Sequence, residues 1–392
     1  MQFWSLASLE TAPDAIAADI RDQLGQTPVD HDLVLAFVRP PDGVLAEEIF
    51  RALRRAVPSR RFMACTAESV VAMGREIEAQ AATAVMVADL PAVAIDALPP
   101  LAADSSVLPT ALTSLTVEPE TIVLPDDIEA FIVLLDPFSV AADALLARLN
   151  ELAPGVPVIG GIASWATSAG GNRLAQDDAI SNAGLVGLML RGDLDVSVIV
   201  SQGCRPVGAP FPVTASSGNM IRELDGRPPI EVLRDVFERA DRDTQALMRS
   251  GVLIGRGISR DLDDLGRGGY LIRTMLGADS ESGAVAVQDH IEAGELIQFH
   301  VRDATAAQED LEMLLTPQAF EDTAAGALLF TCNGRGTAFY GRPDGDIAVV
   351  RSALGDQVPV AGFFCAGELG PIGDANFTHA YTASMAIFRP KH

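Results

Sequence analysis

A recurring order of apolar and polar positions predicts strand–helix–strand segments along the chain. In the first segment an apolar run at 32–38 precedes a helix predicted over 43–57 and a second apolar run at 62–66. The helix is predicted from apolar residues at helical spacing, namely Leu45, Ile49, Leu53 and Val57. Two strands joined by a helix pair in parallel, so we expect a crossover unit here.

The same order recurs twice further along the chain. The second segment has strands predicted at 131–135 and 156–164 around a helix at 139–152; the third has strands at 327–331 and 358–366 around a polar stretch. The second strands of these two segments share the motif Val-Pro-Val-x-Gly, at 156–160 and 358–362. This match indicates an internal duplication, although two unrelated crossovers could also have converged on it.

Hairpins and helices are predicted between these segments. We expect one hairpin from strands 184–190 and 196–200, which flank the turn 191–193, and another from strands 283–287 and 296–301. Further strands are predicted at 251–255 and 269–273, and helices at 228–239 and 306–315. Parallel crossovers together with hairpins predict an α+β fold: two α/β-type domains with mixed sheets, each covered by helices on one face.

Length and composition bound the class of protein. A chain of 392 residues exceeds what one core usually serves, and the proline-rich stretch 206–226 is the expected domain boundary. The most apolar region, 81–103, is interrupted by charged residues and prolines, and the N-terminus lacks the positive charges of a secretory signal. We therefore expect a cytoplasmic protein that does not enter a membrane.

Charge and cysteine content exclude several functions. The net charge of −25 argues against a nucleic-acid partner, because phosphate contacts need clustered Lys and Arg. Four scattered cysteines, without a CxxC pair, fit reduced thiols rather than a disulfide scaffold. With Lys391 as the only lysine there is no P-loop, and no dinucleotide fingerprint follows Gly255. The five histidines are dispersed, so we expect neither a metal site nor a cofactor.

Glycine-rich turns carrying reactive or charged side chains end several apolar runs. They read Cys-Asn-Gly-Arg-Gly at 332–336, Gly-Glu-Leu-Gly-Pro-Ile-Gly at 367–373, Gly-Gly-Ile-Ala-Ser at 160–164 and Ser-Gln-Gly-Cys-Arg-Pro-Val-Gly at 201–208. Such turns deliver functional groups to the rim of a sheet, where loops bind ligands. In these motifs, and in their order over residues 30–388, the chain resembles the FIST sensory proteins (F-box and intracellular signal transduction).

This resemblance implies a FIST-N domain at 30–215 and a FIST-C domain at 216–392, after a lead-in at 1–29. It implies a sensory module that binds small ligands such as amino acids. The chain carries no F-box, kinase or methyl-acceptor segment, so its state would pass to a separate signalling protein. One departure is the sequence Ala-Cys-Thr at 64–66, where the family often has Gly-Cys-Ser, which weakens any role for that turn.

The candidate ligand site centres on two charged residues. Arg335 could clamp a carboxylate, with Asn333 and the backbone around Gly334 and Gly336 as further donors; alternatively it pairs with a local acid, Asp344 or Asp346. Glu368 could accept the ammonium group of an amino acid, or it could pair with Arg335 and lock two loops.

Further candidates come from both halves. His379 could donate to an anion or be a buried hydrogen-bonding residue, and Arg205 could face the pocket. If the halves face each other, Gly160, Gly161 and Ser164 would lie nearby. The remaining candidates are Cys332 and Gly370, which belong to the two C-terminal motifs.

Two other functions stay open at this point. A cysteine-dependent enzyme could use Cys332 or Cys365 with His379 as base and Glu368 or Asp374 as the orienting acid. An interaction scaffold would need a large exposed apolar patch, which the sequence does not reveal.

Overall fold

The computed structural model describes residues 1–25, 30–98, 124–262, 265 and 268–391. The chain forms two compact units. The first, which we call the three-sheet unit, comprises Met1–Val200, Leu311–Thr378 and Thr382–His392; the second, the barrel unit, comprises Ser201–Asp310 and His379–Tyr381. None of the helices in the described ranges is long and apolar enough to cross a membrane.

The three-sheet unit contains one strand–helix–strand repeat three times, each with its two strands paired in parallel. The repeats are β2 (His31–Arg39), α2 (Ala46–Ala56) and β3 (Ser59–Thr66); β8 (Ile128–Leu135), α3 (Ala142–Leu152) and β9 (Val158–Ile162); and β20 (Gly326–Cys332), α8 (Gly345–Leu354) and β21 (Val360–Cys365). All three predicted crossovers are therefore confirmed. The polar stretch of the third segment contains α8, which the sequence pattern did not predict.

The same hydrogen bond opens each parallel pair. In each repeat, the residue at which the parallel pairing begins on the first strand donates its N–H to the carbonyl of the proline that precedes the second strand. The bonds are His31 to Pro58, Phe131 to Pro157 and Ala327 to Pro359. A Val-Pro pair thus precedes the second strand in all three repeats. The predicted internal repetition is present, and it has three copies rather than two.

After each repeat the chain forms a short hairpin that joins the sheet of another repeat. These hairpins are β4 (Val70–Ala72) with β5 (Arg75–Ile77), β10 (Leu174–Gln176) with β11 (Ala179–Ser181), and β22 (Glu368–Ile372) with β23 (Ala375–His379). The first pairs with β21, the second with β3 and the third with β9. Every repeat therefore completes the sheet of a neighbour.

Two more strands finish each sheet. One is an antiparallel strand beside the first strand of the repeat, and the other is an edge strand beside that one. The antiparallel strands of sheets I, II and III are β6 (Ala82–Asp89), β12 (Leu185–Gly192) and β24 (Thr382–Arg389). The corresponding edge strands are β1 (Gln2–Ser8), β7 (Val93–Ala97) and β13 (Asp195–Gln202). The orders are β1-β6-β2-β3-β10-β11 in sheet I, β7-β12-β8-β9-β22-β23 in sheet II and β13-β24-β20-β21-β4-β5 in sheet III.

The three sheets share one apolar core, and helices cover their other faces. Phe37, Phe330 and Phe363 meet in the core with ring centroids 5.0–6.1 Å apart. Sheet I packs against α1 (Pro13–Leu24) and α2, sheet II against α3, and sheet III against α8 and α6 (Ala304–Leu315). The predicted α+β architecture with one helix-covered face per sheet is confirmed.

The barrel unit is a closed six-stranded barrel of order β14-β15-β18-β17-β16-β19. Its strands are β14 (Cys204–Ser217), β15 (Met220–Leu224), β16 (Leu253–Gly257), β17 (Tyr270–Ala278), β18 (Val285–Val287) and β19 (Leu296–Arg302), with α4 (Pro229–Arg239) and α5 (Arg242–Ser250). In chain order the barrel precedes the third repeat and lies between β13 and β20, two strands of sheet III. Two short helices complete the inventory of the described residues, a 3-10 turn at Thr316–Phe320 and α7 at Thr337–Tyr340.

Several local predictions are wrong. The strands predicted at 184–190 and 196–200 exist as β12 and β13, but they lie in sheets II and III and form no hairpin. Likewise β18 pairs with β15 and β17, and β19 with β14 and β16. Residues 206–226 form β14 and β15 rather than a linker. The two expected hairpins fail because each strand pairs with strands other than the predicted partner, whereas β14 and β15 pair with each other as a hairpin that was not predicted.

The helix of the first repeat is shorter than predicted. It begins after Leu45, which lies outside the apolar face and is 59% exposed, whereas Ile49, Leu53 and Val57 are buried as expected. Leu45 has an extended backbone at the helix N-cap, so helical spacing no longer sets the direction of its side chain.

The glycines of the two Val-Pro-Val-x-Gly motifs are required by backbone contact. A Cβ at Gly160 would lie 1.9 Å from the carbonyl oxygen of Val133, and one at Gly362 would lie 1.7 Å from that of Leu329. The paired strands therefore approach too closely for any side chain at these two positions.

We predict that Gly362→Ala lowers the free energy of unfolding by about 3 kcal/mol or more, because the strand pair must separate to admit the methyl group. The matched control is Gly277→Ala, where an added Cβ meets no atom within 4 Å. Denaturant unfolding of both variants checks this, and equal midpoints would contradict the contact argument.

Candidate functional site

The C-terminal ends of the three parallel strand pairs meet at one place, which we call the convergent edge. It consists of residues 66–69, 162–165 and 364–368 together with the adjoining turn 332–335. Backbone hydrogen bonds link each exit to the next: Ser164 N–H to Thr66 O, Phe364 N–H to Ser69 O and Ala366 N–H to Ile162 O. Carboxyl ends of parallel strands are the usual location of binding sites in α/β sheets.

One of the three exits is open to solvent. Each second strand is followed by an alanine; Ala67 and Ala163 are fully buried, whereas Ala366 is exposed. The residue that follows the last parallel-paired position of each first strand also differs between repeats: it is Arg39, Asp136 or Asn333. The three exits therefore share a backbone plan but present different chemistry.

The edge brings together predicted residues from both halves of the chain. Glu368 pairs with Gly161 in the register of β22 with β9, and Leu369 with Gly160. The Ser164 hydroxyl donates to Phe364 O, and the Asn333 N–H donates to Cys365 O at 2.9 Å. The expectation that 160–164 lies beside the C-terminal motifs matches this geometry.

Close packing leaves room only for glycine at position 161. A Cβ there would lie 2.3 Å from Cys365 Sγ. Cys332 pairs with Cys365 across β20 and β21, and both residues are buried. Burial raises the pKa of the Cys365 and Cys65 thiols well above their ordinary value. That shift is opposite to the one that activates a cysteine nucleophile.

Arg335 is buried rather than on the rim, with 2% of its surface exposed. It forms a two-point ion pair with Asp346, Nε to Oδ2 at 2.9 Å and an Nη to Oδ1 at 2.7 Å, and it donates to Tyr340 Oη at 2.7 Å. The Thr331 hydroxyl also donates to Asp346, at 2.6 Å. Of the alternatives open from the sequence, pairing with the local acid Asp346 is therefore present.

The charges of this pair hold each other ionised. Burial opposes ionisation of both groups, but the carboxylate of Asp346 raises the pKa of Arg335, and the guanidinium of Arg335 keeps the pKa of Asp346 below its usual value. Each partner would be an uncompensated buried charge without the other.

Glu76 joins this network although nothing in the sequence indicated it. Its carboxylate accepts N–H groups of Gly345, Asp346 and Ile347, the first turn of α8, at 2.8–3.0 Å. Burial, and then the neighbouring Asp346, raise the pKa of Glu76 to about 7. Glu76 comes from hairpin β4–β5 and reaches α8 only because that hairpin joins sheet III.

Glu368 is fully buried, and only one of its two carboxylate oxygens accepts hydrogen bonds from the described residues. Its Oε2 accepts the hydroxyl and the N–H of Thr382, at 2.7 and 3.2 Å, whereas its Oε1 has no hydrogen-bond donor among the described residues. Burial raises the pKa of Glu368 to about 8, against the lowering effects of Thr382, Arg335 and Cys332. The Oδ1 atom of Asn333 is likewise buried without a donor in the described structure.

Arg39 and Trp165 lie at the same edge. The guanidinium carbon of Arg39 is 5.5 Å from the ring centroid of Trp165, and Arg39 also donates to Glu68 O. Both side chains are half-buried, and no carboxylate of the described residues lies within ion-pair distance of Arg39. Sequence reasoning missed Arg39, although it directly follows the first predicted strand.

The other candidates have separate places. Arg205 belongs to the barrel unit, where it pairs with Asp303 at 3.0 Å and donates to the Thr244 hydroxyl. His379 ends β23 and is 2% exposed. Gly370 lies within β22, and Gly334 is half-buried in the turn after β20. Gly336 has φ of +83°, and a Cβ there would lie 2.6 Å from Glu78 Oε2.

The models of one protein family match the sequence over most of the chain. The model of the FIST N domain matches residues 32–227, and that of the FIST C domain matches residues 229–371. The chain belongs to the FIST family. FIST domains are associated with sensing in signal transduction.

Similar chains occur in mycobacteria. The protein is 37% identical over 390 residues to an uncharacterized protein of Mycobacterium tuberculosis, covering 97% of this chain and 98% of that one. An uncharacterized protein of Mycobacterium bovis is 36% identical over 388 residues, covering 96% and 97%. The FIST N and FIST C matches meet between β15 and α4, inside the barrel unit, so the family division differs from the division into compact units.

We predict that Arg335→Ala lowers the free energy of unfolding by about 3 kcal/mol or more, because Asp346 is left buried beside Glu76 without its cation. The control is Arg351→Ala on α8, whose ion pair with Asp356 is 41% and 67% exposed and contributes at most about 1 kcal/mol. Chemical denaturation of both variants checks this; similar losses would show that burial of the pair is not the cause.

The raised pKa of Glu368 predicts a pH dependence of stability. An unfolded glutamate ionises near 4.5, so between that pH and about 8 the folded protein holds a proton that the unfolded chain has lost. The free energy of unfolding then falls as pH rises, by up to about 1.4 kcal/mol per unit. Glu368→Gln should reduce this slope to the part that Glu76 contributes below about pH 7, whereas Glu68→Gln, at an exposed position, should leave it unchanged. Identical pH profiles for wild type and Glu368→Gln would contradict it.

Proposed function

We propose that this FIST protein is a small-ligand-binding sensor of intracellular signal transduction that acts in the cytoplasm. Its site is the convergent edge, and its ligands are amino acids or similar small carboxylates. Family membership supports the sensory role, and the edge supports the location, because it joins three strand exits and one of them, at Ala366, is exposed.

The observation that carries the proposal is the pair of buried acceptors without donors, Glu368 Oε1 and Asn333 Oδ1. More than about 90% of buried polar groups in proteins have a hydrogen-bond partner, so two such atoms in neighbouring motifs call for an explanation. An ammonium group carries three donors and a positive charge. It would satisfy a carboxylate and an amide oxygen together.

The carboxylate of the ligand is assigned to Arg39. Arg335 was the expected clamp, but Asp346 and Tyr340 take up its Nε and one Nη. Arg39 is half-buried, lacks a carboxylate partner in the described residues and is held against Trp165. We assign Arg335 a positioning role, since its charge lowers the pKa of Glu368.

The exchanged hairpins provide a route from ligand to output. Glu368 is the first residue of β22 in sheet II, and it also binds Thr382, the first residue of β24 in sheet III. A ligand that neutralises Glu368 would therefore alter contacts in two sheets at once. A separate signalling protein would detect this change.

The proposal makes ligand binding depend on pH. An ammonium ligand needs an ionised Glu368, so its affinity should rise about tenfold per unit below pH 8 and level off above it. The test is a thermal-shift screen of amino acids, followed by calorimetry of the strongest binder at three pH values between 6 and 9.

Variants separate this site from others. Glu368→Gln should weaken binding and remove its pH dependence, and Arg39→Ala should weaken it at every pH. Glu151→Gln, an exposed position on α3, is the control. A binder with the same affinity for wild type, Glu368→Gln and Arg39→Ala would contradict the proposed site, and an amino-acid screen without any binder would contradict the ligand class.

A further inference from the structure

A depression of about 250 Å³ lies on the helix-covered face of sheet I. It opens between α2 and the hairpin β10–β11. Four apolar residues line it, Phe50, Phe62, Ala175 and Ile180, together with three arginines and two acids, Arg51, Arg54, Arg55, Asp177 and Asp178. Asp177 pairs with Arg61 and Asp178 approaches Arg54, so the lining carries one positive charge in excess. None of these residues belongs to the convergent edge.

The positive charge here stands out against a strongly acidic chain. Five arginines lie between residues 51 and 61, although the net charge of the chain is −25. Two of them, Arg60 and Arg61, are neutralised by Asp32 and Asp177 at 3.1 and 2.9 Å. The other three line the depression.

These three arginines are poorly neutralised. Arg54 and Arg55 approach Asp178 and Asp14 only to 3.7 Å, and both acids are more than 90% exposed. Arg51 has no carboxylate within ion-pair distance among the described residues, and its charge acts on Glu47 one turn earlier, which pairs with Arg173. Exposed pairs at such distances contribute little and are screened by salt, so the guanidinium groups remain available to an anion.

One of them is held in place for binding. An Nη of Arg54 donates to the carbonyl and the hydroxyl of Ser59, at 2.6 and 3.0 Å, and the Arg54 side chain is only 23% exposed. A guanidinium fixed in this way loses little conformational freedom on binding, and its remaining N–H groups can meet a carboxylate or phosphate.

We propose that this depression binds a small organic anion that carries an apolar ring or chain, with a carboxylate or a phosphate as the charged group. The apolar floor would receive the ring, and Arg51 and Arg54 would bind the anion. The volume is slightly below that of drug-sized sites, about 300 Å³ and above, and so limits the ligand to a small ring compound.

The site would join two repeats. Phe50 and Phe62 belong to the first repeat, and Ala175 and Ile180 to the hairpin that follows the second. That hairpin continues the segment that leaves the convergent edge at Ser164. A ligand in the depression would therefore hold this hairpin against α2.

The test uses para-fluorobenzoate and phenyl phosphate as probes, with fluorine NMR for the first and calorimetry for both. We expect saturable binding that weakens with salt, and a loss of about tenfold or more in Arg51→Ala and Arg54→Met. Arg60→Ala, an exposed arginine outside the lining, is the matched control, and para-fluorobenzamide is the neutral probe. The relative affinities of the two probes decide between carboxylate and phosphate.

The outcomes separate this site from the one at the convergent edge. Asn333→Ala should leave probe binding unchanged, because Asn333 does not line the depression. The two proposed sites can therefore be tested independently of each other. Equal affinity in Arg51→Ala, Arg54→Met and wild type would overturn the inference. Equal binding of the neutral benzamide, or no saturable binding of either anion at millimolar concentration, would overturn it as well.

Discussion

The exchange of hairpins between repeats is the constraint on which the three-sheet unit depends. A strand–helix–strand segment leaves an open sheet edge, and such an edge is an aggregation hazard unless another strand covers it. Here β4, β10 and β22 each pair with a strand of another repeat. No repeat completes its own sheet, so folding of one repeat requires the others. The exchange also places the strand exits next to each other and so creates the convergent edge.

The parts predicted from sequence are those fixed by local pattern. Apolar runs and helical spacing located the three parallel pairs, and Val-Pro-Val-x-Gly revealed the repetition, because backbone contact at Gly160 and Gly362 excludes any side chain. Strand partners were not predictable, because β4 and β5 have three residues each, too few for an informative alternation. The hairpin expected between β12 and β13 failed for a different reason: both strands have eight residues, but the chain changes sheets at the turn between them.

The site shows the same limit. The glycine-rich turns correctly grouped 160–164 with the C-terminal motifs in space, but the sequence could not say which acid meets Arg335. Asp346 is 11 residues away, in the first turn of α8, a helix that the pattern missed, and Glu76 comes from the first repeat's hairpin, 270 residues earlier in the chain. Burial converted an expected rim arginine into half of an internal ion pair. Whether a polar side chain faces solvent or the interior depends on packing partners that local sequence does not specify.

Placing all three repeats in one polypeptide has a further consequence at the strand exits. A ring of three identical chains must present the same side chain three times around its axis. In this protein the equivalent positions are free to differ, and they hold a cation, Arg39, an anion, Asp136, and an amide, Asn333. One polypeptide can therefore give each copy of a repeated backbone its own task, since Arg39 is half-buried at one exit while the buried Asp136 holds Ser139 and Asn172 at another. Three identical chains could not divide these tasks.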